Sequence, residues 1–308
     1  MSFFASLLNA APGAVAQGLI WGLMAIGVYI TFRVLDVADL TVDGSIAAGG
    51  AVCVMLIRAG WDPWLAMACA FLTGLLAGCV TGLLIGFCGI PAILAGILTQ
   101  LALYSVNLRI LGGKANQAVG VDKYPLAVSQ RFVRDAGLHN PLLLLMLAAL
   151  VLILLLYWFF GTERGCAIRA TGANGHMARA QGIDTRRCTI IGLMLSNGLV
   201  ALSGAFLAQY QGSADVNMGR GAIVIGLAAV IIGEVLLGKL FRNFALKLAA
   251  VVVGSILYYI VLQIVLQLGL NTNDLKLLSA AIVALFLALP HWQSHIVGKN
   301  GKEARRRA

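Results

Sequence analysis

The sequence predicts an all-α protein: a polytopic transmembrane helix bundle of about nine spans. Three observations support this fold class. Hydrophobic residues make up 60% of the 308 positions, charged residues make up only 11%, and the mean hydropathy is +0.93. Soluble domains carry about 25% charged residues, so a water-soluble fold of this size could not bury so much apolar surface. A helix that crosses a bilayer needs about 20 mostly apolar residues, and such stretches recur along the whole chain.

Apolar stretches define the predicted spans. They cover residues 13–32, 44–59, 63–87, 91–110, 141–160, 188–209, 220–238, 244–268 and 274–290. The transmembrane domain is therefore predicted to comprise residues 1–290, followed by a basic cytoplasmic tail over residues 291–308. Because the number of spans is odd, we expect the two termini to lie on opposite sides of the membrane.

The basic residues orient this predicted bundle. The net charge is +10, but Lys and Arg lie between apolar stretches and at the C-terminus instead of on one folded face, which argues against a nucleic-acid partner. Cytoplasmic loops of membrane proteins carry an excess of Lys and Arg. If the tail is cytoplasmic, Arg33 and the segments 163–187 and 239–247 are cytoplasmic as well, and together they hold most of the Lys and Arg residues. We expect an outside N-terminus, with membrane lipid around the spans.

The third span has a regular glycine pattern. Glycines recur at every fourth position, at Gly74, Gly78, Gly82 and Gly86. This spacing places them on one face of a helix, where the missing side chains let another backbone approach closely. The pattern predicts a helix-packing ridge.

No catalytic or metal-binding pattern is evident in the sequence. The six cysteines lie mostly in apolar stretches without metal-ligand spacing, and the four histidines are scattered over different segments. Residues 233–239 have the spacing of a phosphate-binding loop, but Leu240 replaces the required Ser or Thr. We therefore predict no catalytic residue, no metal site and no cofactor on this chain.

Three aspartates interrupt the apolar pattern between the first and second spans. Asp36, Asp39 and Asp43 follow the three- and four-residue spacing of one helical face, and Gly44 permits a turn or close backbone approach. The predicted fold includes a broken helix near the second span. Ionisable groups at membrane depth are costly and usually line an aqueous path or pair with a partner such as Arg33. The alternative interpretation is an ordinary interfacial loop in which Asp43 caps the next helix.

The fourth span contains uncharged polar residues. Pro91 suits the first turn of a helix, and the helix that follows contains Gln100 and Asn107. These side chains are candidates for the lining of a solute path, although hydrogen bonding between helices would explain them equally well.

The segment 163–187 alternates apolar, small and basic residues around short glycine breaks. Ile168, Met177, Ala178 and Ile183 are predicted to form a small apolar surface that docks a soluble partner, and a solvated connecting loop is the alternative.

With these segments laid out, the chain resembles the branched-chain amino acid and ribose-type permease superfamily of ABC importers. It is most similar to the tryptophan/tyrosine-type or uncharacterised ABC transporter permease subgroup. The most specific matches are residues 18–30, GLIWGLMAIGVYI, and residues 35–45, LDVADLTVDGS. Residues 169–183, RATGANGHMARAQGI, look like the coupling segment of that family, and residues 203–212, SGAFLAQYQG, look like the helix that follows it. The resemblance extends over nearly the whole chain.

The resemblance implies a set of partners. A second copy of the permease would complete the pathway, a cytoplasmic ABC ATPase dimer would bind ATP and dock on a cytoplasmic coupling helix, and an extracytoplasmic solute-binding protein would deliver solute. The chain itself would not be an enzyme. Its expected location is the bacterial plasma (inner) membrane, and the expected solute is small and polar, with an amino acid favoured.

The resemblance also implies roles for individual positions. Near the pathway it places Asp36, Asp39, Thr41 and Asp43. At the ATPase contact it places Gly172, Asn174, His176, Ala178, Gly182 and Ile183. Glu234 replaces a glycine common in the superfamily, and it is either a gate element or part of an ion pair, for which Lys239 is one helical turn away.

The main competing interpretation is an ion-coupled secondary transporter, in which Asp36, Asp39, Asp43 or Glu234 would bind protons or sodium. Such transporters typically contain related half-repeats, and we find no convincing internal repeat in this sequence.

Overall fold

The structure, a computed structural model, describes residues 3–120, 123–132, 140–238 and 243–267, together with isolated positions between 277 and 288. The described helices are α1 Phe3–Tyr29, α2 Val42–Arg58, α3 Pro63–Gly86, α4 Ala92–Ile110, α5 Pro141–Gly161, α6 Glu163–Ala173, α7 Gly175–Ala180, α8 Thr185–Gln211, α9 Ala222–Leu237 and α10 Phe244–Gln267. Two short strands, β1 Asn116–Ala118 and β2 Ser213–Asp215, pair in antiparallel register. The all-α prediction is confirmed.

Within the described residues, six helical stretches are long and apolar enough to cross a membrane. They are Ala10–Val34, Pro63–Gly86, Ala92–Ile110, Pro141–Gly161, Thr185–Gln211 and Phe244–Gln267. Helices α2 and α9 have only 17 and 16 residues, or about 25 Å at 1.5 Å per residue, which is less than the roughly 30 Å of a hydrocarbon core. Nine spans and a broken helix near the second span remain predictions. Most of the ninth predicted span, 274–290, and the tail, 291–308, lie outside the described residues.

Helix α8 lies at the centre of the bundle and packs on α1, α2 and α3. Its small and polar residues permit this position, because they let neighbouring backbones approach and they hydrogen-bond to them. The hydroxyls of Ser196 and Ser203 each donate a 2.7 Å hydrogen bond to α1, to the carbonyl oxygens of Gly27 and Ile20. These bonds fix α1 along one side of α8.

The glycine ridge of α3 packs on another side of α8. A Cβ at Gly74 would collide with the carbonyl oxygen of Asn197, and one at Gly78 would lie 2.7 Å from the Cα of Met194. The predicted role of these glycines as a packing ridge is confirmed, with α8 as the partner. At Gly86, the last glycine of the ridge, the nearest atom would be 3.6 Å away.

Replacing Gly78 with leucine should destabilise the fold, because the new side chain must push α3 away from the α8 backbone. Overpacking of a close contact costs about 1–3 kcal/mol or more. We expect a lower melting temperature and less monodisperse protein in fluorescence-detected size-exclusion chromatography. Gly86→Leu is the matched control, and equal stability of the two variants would contradict this packing assignment.

Helices α2 and α9 begin near the middle of the bundle and run in opposite directions. The hydroxyl of Ser45, in the first turns of α2, donates a 2.6 Å hydrogen bond to Asn197, which lies near the middle of α8. From there α2 runs to the end that holds β1 and β2, where Tyr124 donates to the carbonyl of Arg58. Helix α9 runs to the end that holds α6 and α7. We call these the strand end and the α6 end.

Candidate functional site

The segment between α1 and α2 leaves regular α-helix at residue 30. Residues Ile30–Val34 form a π-helical turn, and the chain is then irregular up to residue 41. Asp36 has φ +56°, a left-handed conformation that costs a non-glycine residue about 1 kcal/mol or more and persists only where the surroundings impose it. Gly172 of α6 packs on the carbonyl of Val34, and Gly192 of α8 packs on the side chain of Leu35. Two helices therefore hold this segment in place.

The three aspartates do not share one helical face, because residues 35–41 are not helical. This corrects the spacing argument made from the sequence. Asp36 is exposed and lines a cavity at the α6 end. Asp39 is buried, and Asp43 lies in the first turn of α2. Each aspartate therefore has different surroundings.

Asp39 belongs to a buried polar network. One of its carboxylate oxygens accepts a 2.9 Å hydrogen bond from the backbone N–H of Thr41, and the other accepts a 2.6 Å bond from the Nδ2 of Asn197. The Oδ1 of Asn197 in turn accepts from Ser45. Among the described residues no cation forms an ion pair with Asp39. Buried polar groups need such partners, since an unsatisfied one costs about 1–3 kcal/mol.

Thr41 extends this network to two further helices. Its Oγ1 lies 2.7 Å from the Oγ1 of Thr81 in α3, which lies 3.0 Å from the Oγ1 of Thr99 in α4. All three threonines are buried. Thr41 and Asp39 thus connect the irregular segment to α3, α4 and α8, and neither lines the cavity described next.

Three of the sequence-predicted pathway residues line one cavity of about 360 Å³. They are Asp43, Gln100 and Asn107, which join Gly44, Leu101, Tyr104, Val216 and Arg220 around it. We call this space the central cavity. It lies beside the first turn of α2, and therefore near the middle of the bundle.

Asp43 connects the two short helices at the central cavity. Its carboxylate accepts hydrogen bonds from the backbone N–H groups of Gly221, at 3.0 Å, and Ile223, at 3.1 Å. These are orphan donors at the start of α9, where the helix dipole also favours negative charge. Asp43 therefore caps α9 while it lies on α2.

Asn107 contributes an unsatisfied acceptor to the cavity wall. The residue is 1% exposed, and its Nδ2 donates a 3.2 Å hydrogen bond to the carbonyl of Gly44. Its Oδ1 has no hydrogen-bond partner among the described groups. Because this oxygen is buried, it could accept a hydrogen bond from a bound solute only if the side chain turned toward the cavity.

Sequence reasoning missed four residues of the central cavity: the apolar Leu101 and Val216, and the polar Tyr104 and Arg220. Tyr104 follows Gln100 by four residues and precedes Asn107 by three, so helical periodicity alone could have placed it on the same face. Arg220 gave no comparable signal. It reaches the cavity because Gly219 packs on the backbone of Asp43, 176 positions earlier in the chain.

The six residues predicted for the ATPase contact lie in and around α6 and α7. The Oδ1 of Asn174 caps α7 by accepting from the N–H groups of His176, at 3.1 Å, and Met177, at 3.0 Å. Ala178 is buried, Gly172 packs on the α1–α2 segment, and Ile183 donates its N–H to the carbonyl of Ala178. Gly182 has φ +81°, which favours glycine at the turn that follows α7.

The exposed face of α7 differs from the apolar surface that the sequence predicted. Ile168 and Ala178 are buried within this chain, whereas Met177 is 63% exposed. His176 and Arg179 lie beside Met177 on α7, with 3.2 Å between His176 Nδ1 and the Arg179 guanidinium. Ile168 and Ala178 are buried where α6 and α7 pack on each other and on α8. The exposed surface is therefore one methionine flanked by basic residues.

Glu234 forms an ion pair with Arg33. Both guanidinium nitrogens Nε and NH2 of Arg33 donate to its carboxylate, with 2.8 Å between Nε and Oε1. The sequence pointed to Lys239 as the ion-pair partner, whereas the structure shows Arg33 in that place, and the role of Glu234 as a gate element or as part of an ion pair stays a prediction. Lys239 lies outside the described residues. The pair joins the end of α1 to α9 at the α6 end.

Comparison with known proteins places this architecture among membrane transport subunits. The chain is 37% identical to a tyrosine transport system permease protein of Clostridioides difficile, with 94% of each chain covered. It is 26% identical to the fructose import permease protein FruF of Bifidobacterium longum, covering 98% of this chain and 85% of that one. A solved structure titled as an inward-facing metal-chelate type ABC transporter has a similar fold, with a TM-score of 0.52, 16% sequence identity, and coverage of 93% of this chain and 85% of that one.

The family match covers most of the chain. Residues 12–289 match the family described as the permease component of the branched-chain amino acid transport system. This range includes the α1–α2 segment, the residues that line the central cavity, and α6–α7. The chain is an ABC transporter permease that belongs to the branched-chain amino acid transport system permease family.

Proposed function

We propose that this permease is the membrane-spanning subunit of a bacterial inner-membrane ABC importer and that the central cavity is part of its path for a small polar solute, an amino acid in the first instance. The observation that supports this most directly is the cavity itself. It places a carboxylate, a guanidinium, an amide with an unsatisfied oxygen and a phenol around one space near the middle of a membrane-spanning bundle. Polar groups at this depth usually line a solute or ion path.

The charges of the central cavity suit a zwitterion. Asp43 and Arg220 line the same space, so an ammonium and a carboxylate of one small molecule can each find an opposite charge. Tyr104 offers an aromatic face, and Asn107 Oδ1, which is buried and has no partner in the described chain, would become a further acceptor if its side chain turned toward the solute. The relative named as a tyrosine transport permease agrees with an amino acid as solute.

A second copy of the chain is needed to close the path. Leu101 and Tyr104, which line the cavity, are 64% and 43% exposed, and Arg220 is also exposed. An arginine at mid-membrane depth that faced lipid would cost several kcal/mol. We therefore infer that the partner permease covers this side of α4 and that the solute passes between the two copies.

The two ends of the bundle would have different partners. The α6 end would face the cytoplasm and dock an ABC ATPase dimer, which binds the ATP. The strand end would receive an extracytoplasmic solute-binding protein. Movement of α6 can reach the central cavity through Gly172, which packs on Val34 at the start of the segment that leads to Asp39 and Asp43. On this proposal residues 1–290 form one permease domain with a coupling segment at 163–187, and residues 291–308 form a cytoplasmic tail.

Cross-linking at α4 tests the paired arrangement. In membranes that contain the assembled transporter, Tyr104→Cys should give a covalent dimer of the chain with a short bifunctional thiol reagent. Leu154→Cys on α5, which is 57% exposed, is the matched control and should stay monomeric. The unmodified chain measures the background from its own cysteines. A dimer formed equally by both variants, or by neither, would contradict a path enclosed by two α4 helices.

A further inference from the structure

Two adjoining cavities at the α6 end are not explained by solute transport. The first, of about 580 Å³, is lined by three cationic residues, Arg33, Arg169 and Lys247; we call it the basic cavity. The second, of about 590 Å³, is lined by Tyr157, Trp158 and Phe160 together with Thr162 and Asn243; we call it the aromatic cavity. Arg169 and Phe244 line both cavities, so the two cavities are neighbours.

Two of the cations that line the basic cavity have no ion-pair partner among the described residues. Arg33 is paired with Glu234, and Asp36 is the acidic residue in the cavity lining. Arg169 lies over the ring of Phe244, at 5.5 Å from the ring centre. Within the described chain neither Arg169 nor Lys247 forms a salt bridge, and both are exposed. Two unpaired cations at one depression attract an anion.

The aromatic cavity joins this charge to a membrane-facing surface. It lies at the last turns of α5, where Trp158 is 71% exposed and Tyr157 is 47% exposed. Such amphipathic rings are enriched where the hydrocarbon core meets the headgroups. Along the rest of α5, the exposed side chains are apolar, as at Leu150, Leu154 and Leu155. An anion at Arg169 is therefore next to a surface suited to acyl chains.

We propose that these cavities bind one anionic phospholipid, with its phosphate between Arg169 and Lys247 and its acyl chains along α5. Basic pockets between membrane helices are suited to anionic headgroups, and each Lys or Arg near the membrane surface contributes about 1 kcal/mol. A free anion would use the two cations but would gain nothing from the tryptophan and leucines of α5. The proposal requires only that the chain spans a membrane, so it stands independently of the solute and of the central cavity.

Native mass spectrometry of the purified full-length chain in detergent tests this site. Dioleoylphosphatidylglycerol and dioleoylphosphatidylcholine are titrated separately, and the unmodified chain should retain the anionic lipid in preference. In the double variant Arg169→Gln, Lys247→Gln, affinity for phosphatidylglycerol should fall about tenfold or more while affinity for phosphatidylcholine stays the same. The matched control, Arg164→Gln, Arg186→Gln, removes two exposed cations at the same end that line neither cavity.

The outcomes separate this site from general charge effects. Equal losses in the double variant and the control would show nonspecific attraction and overturn the proposal. Displacement of the lipid by millimolar inorganic phosphate would overturn it in favour of a free-anion site. Because both substituted residues are exposed, the variants should remain folded, and size-exclusion chromatography checks this. The single variant Arg169→Lys, which keeps the charge, should retain most of the binding.

Discussion

Replacing Asp43 with alanine should reduce ATP-dependent uptake by the reconstituted transporter about 100-fold, the equivalent of about 2.8 kcal/mol at 1.4 kcal/mol for each tenfold change. Two effects combine. The variant removes the negative charge from the central cavity, and it leaves the N–H groups of Gly221 and Ile223 without their acceptor. A hydrogen bond to a charged group contributes about 1.5–3 kcal/mol, so α9 should also lose its fixed position beside α2.

The conservative variant separates these two effects. Asp43→Asn keeps one oxygen that can accept from the start of α9, while its NH2 faces the second backbone N–H. Its melting temperature should therefore fall less than that of Asp43→Ala, while its uptake should still fall because the charge is lost. Asp62 provides the control for capping alone. It accepts a 2.8 Å bond from the N–H of Trp64 at the start of α3 but lines none of the cavities described above. Asp62→Ala should cost about 1 kcal/mol of stability and leave uptake nearly unchanged. If Asp43→Asn kept full uptake, the charge of Asp43 would have no role in the solute path.

Replacing Met177 with glutamate should abolish association with the ATPase. Met177 is the large exposed apolar residue of α7, and it is flanked by His176 and Arg179. Burying an unpaired carboxylate in an interface is costly, and substitutions at the centre of an interface commonly cost 2 kcal/mol or more. We expect at least about 30-fold less ATPase to co-purify with the variant, without any loss of the folded permease.

The control for this variant is Met177→Leu, which keeps the apolar contact and should retain the ATPase. Ala178, in the segment that resembles the family's coupling segment, is a poorer position for this test. It is buried inside the permease itself, so a larger residue would disturb α7. If Met177→Glu retains as much ATPase as Met177→Leu does, the docking surface lies elsewhere.

The membrane helices could be predicted from the sequence because lipid imposes a simple requirement on them. A helix in hydrocarbon must be long and apolar, and α3, α5 and α8 meet that requirement in residue composition alone. The glycine ridge of α3 was also predictable, since four-residue spacing and small size are properties of the sequence. The partner of the ridge was not, because α8 lies more than a hundred positions further along the chain.

The site was predicted less completely, for physical reasons that its residues illustrate. Asp36, Asp39 and Asp43 have helical spacing, but Gly172 and Gly192 pack on the segment from both sides and hold it in an irregular conformation. Arg220 lies at the central cavity because the neighbouring Gly219 packs on the backbone of Asp43, a contact that no local sequence pattern predicts. Periodicity describes one helix at a time, whereas a cavity between helices depends on contacts such as the one between Asp43 and Gly221, 178 positions apart.

Uptake of a labelled amino acid into proteoliposomes tests the central claim most directly. The liposomes would contain the permease alone or the permease with its ATPase, with the solute-binding protein supplied outside and ATP inside. We predict accumulation only when the ATPase and hydrolysable ATP are both present, and no accumulation driven by a proton or sodium gradient. Accumulation through the permease alone under an ion gradient would contradict the account and would identify the chain as an ion-coupled transporter.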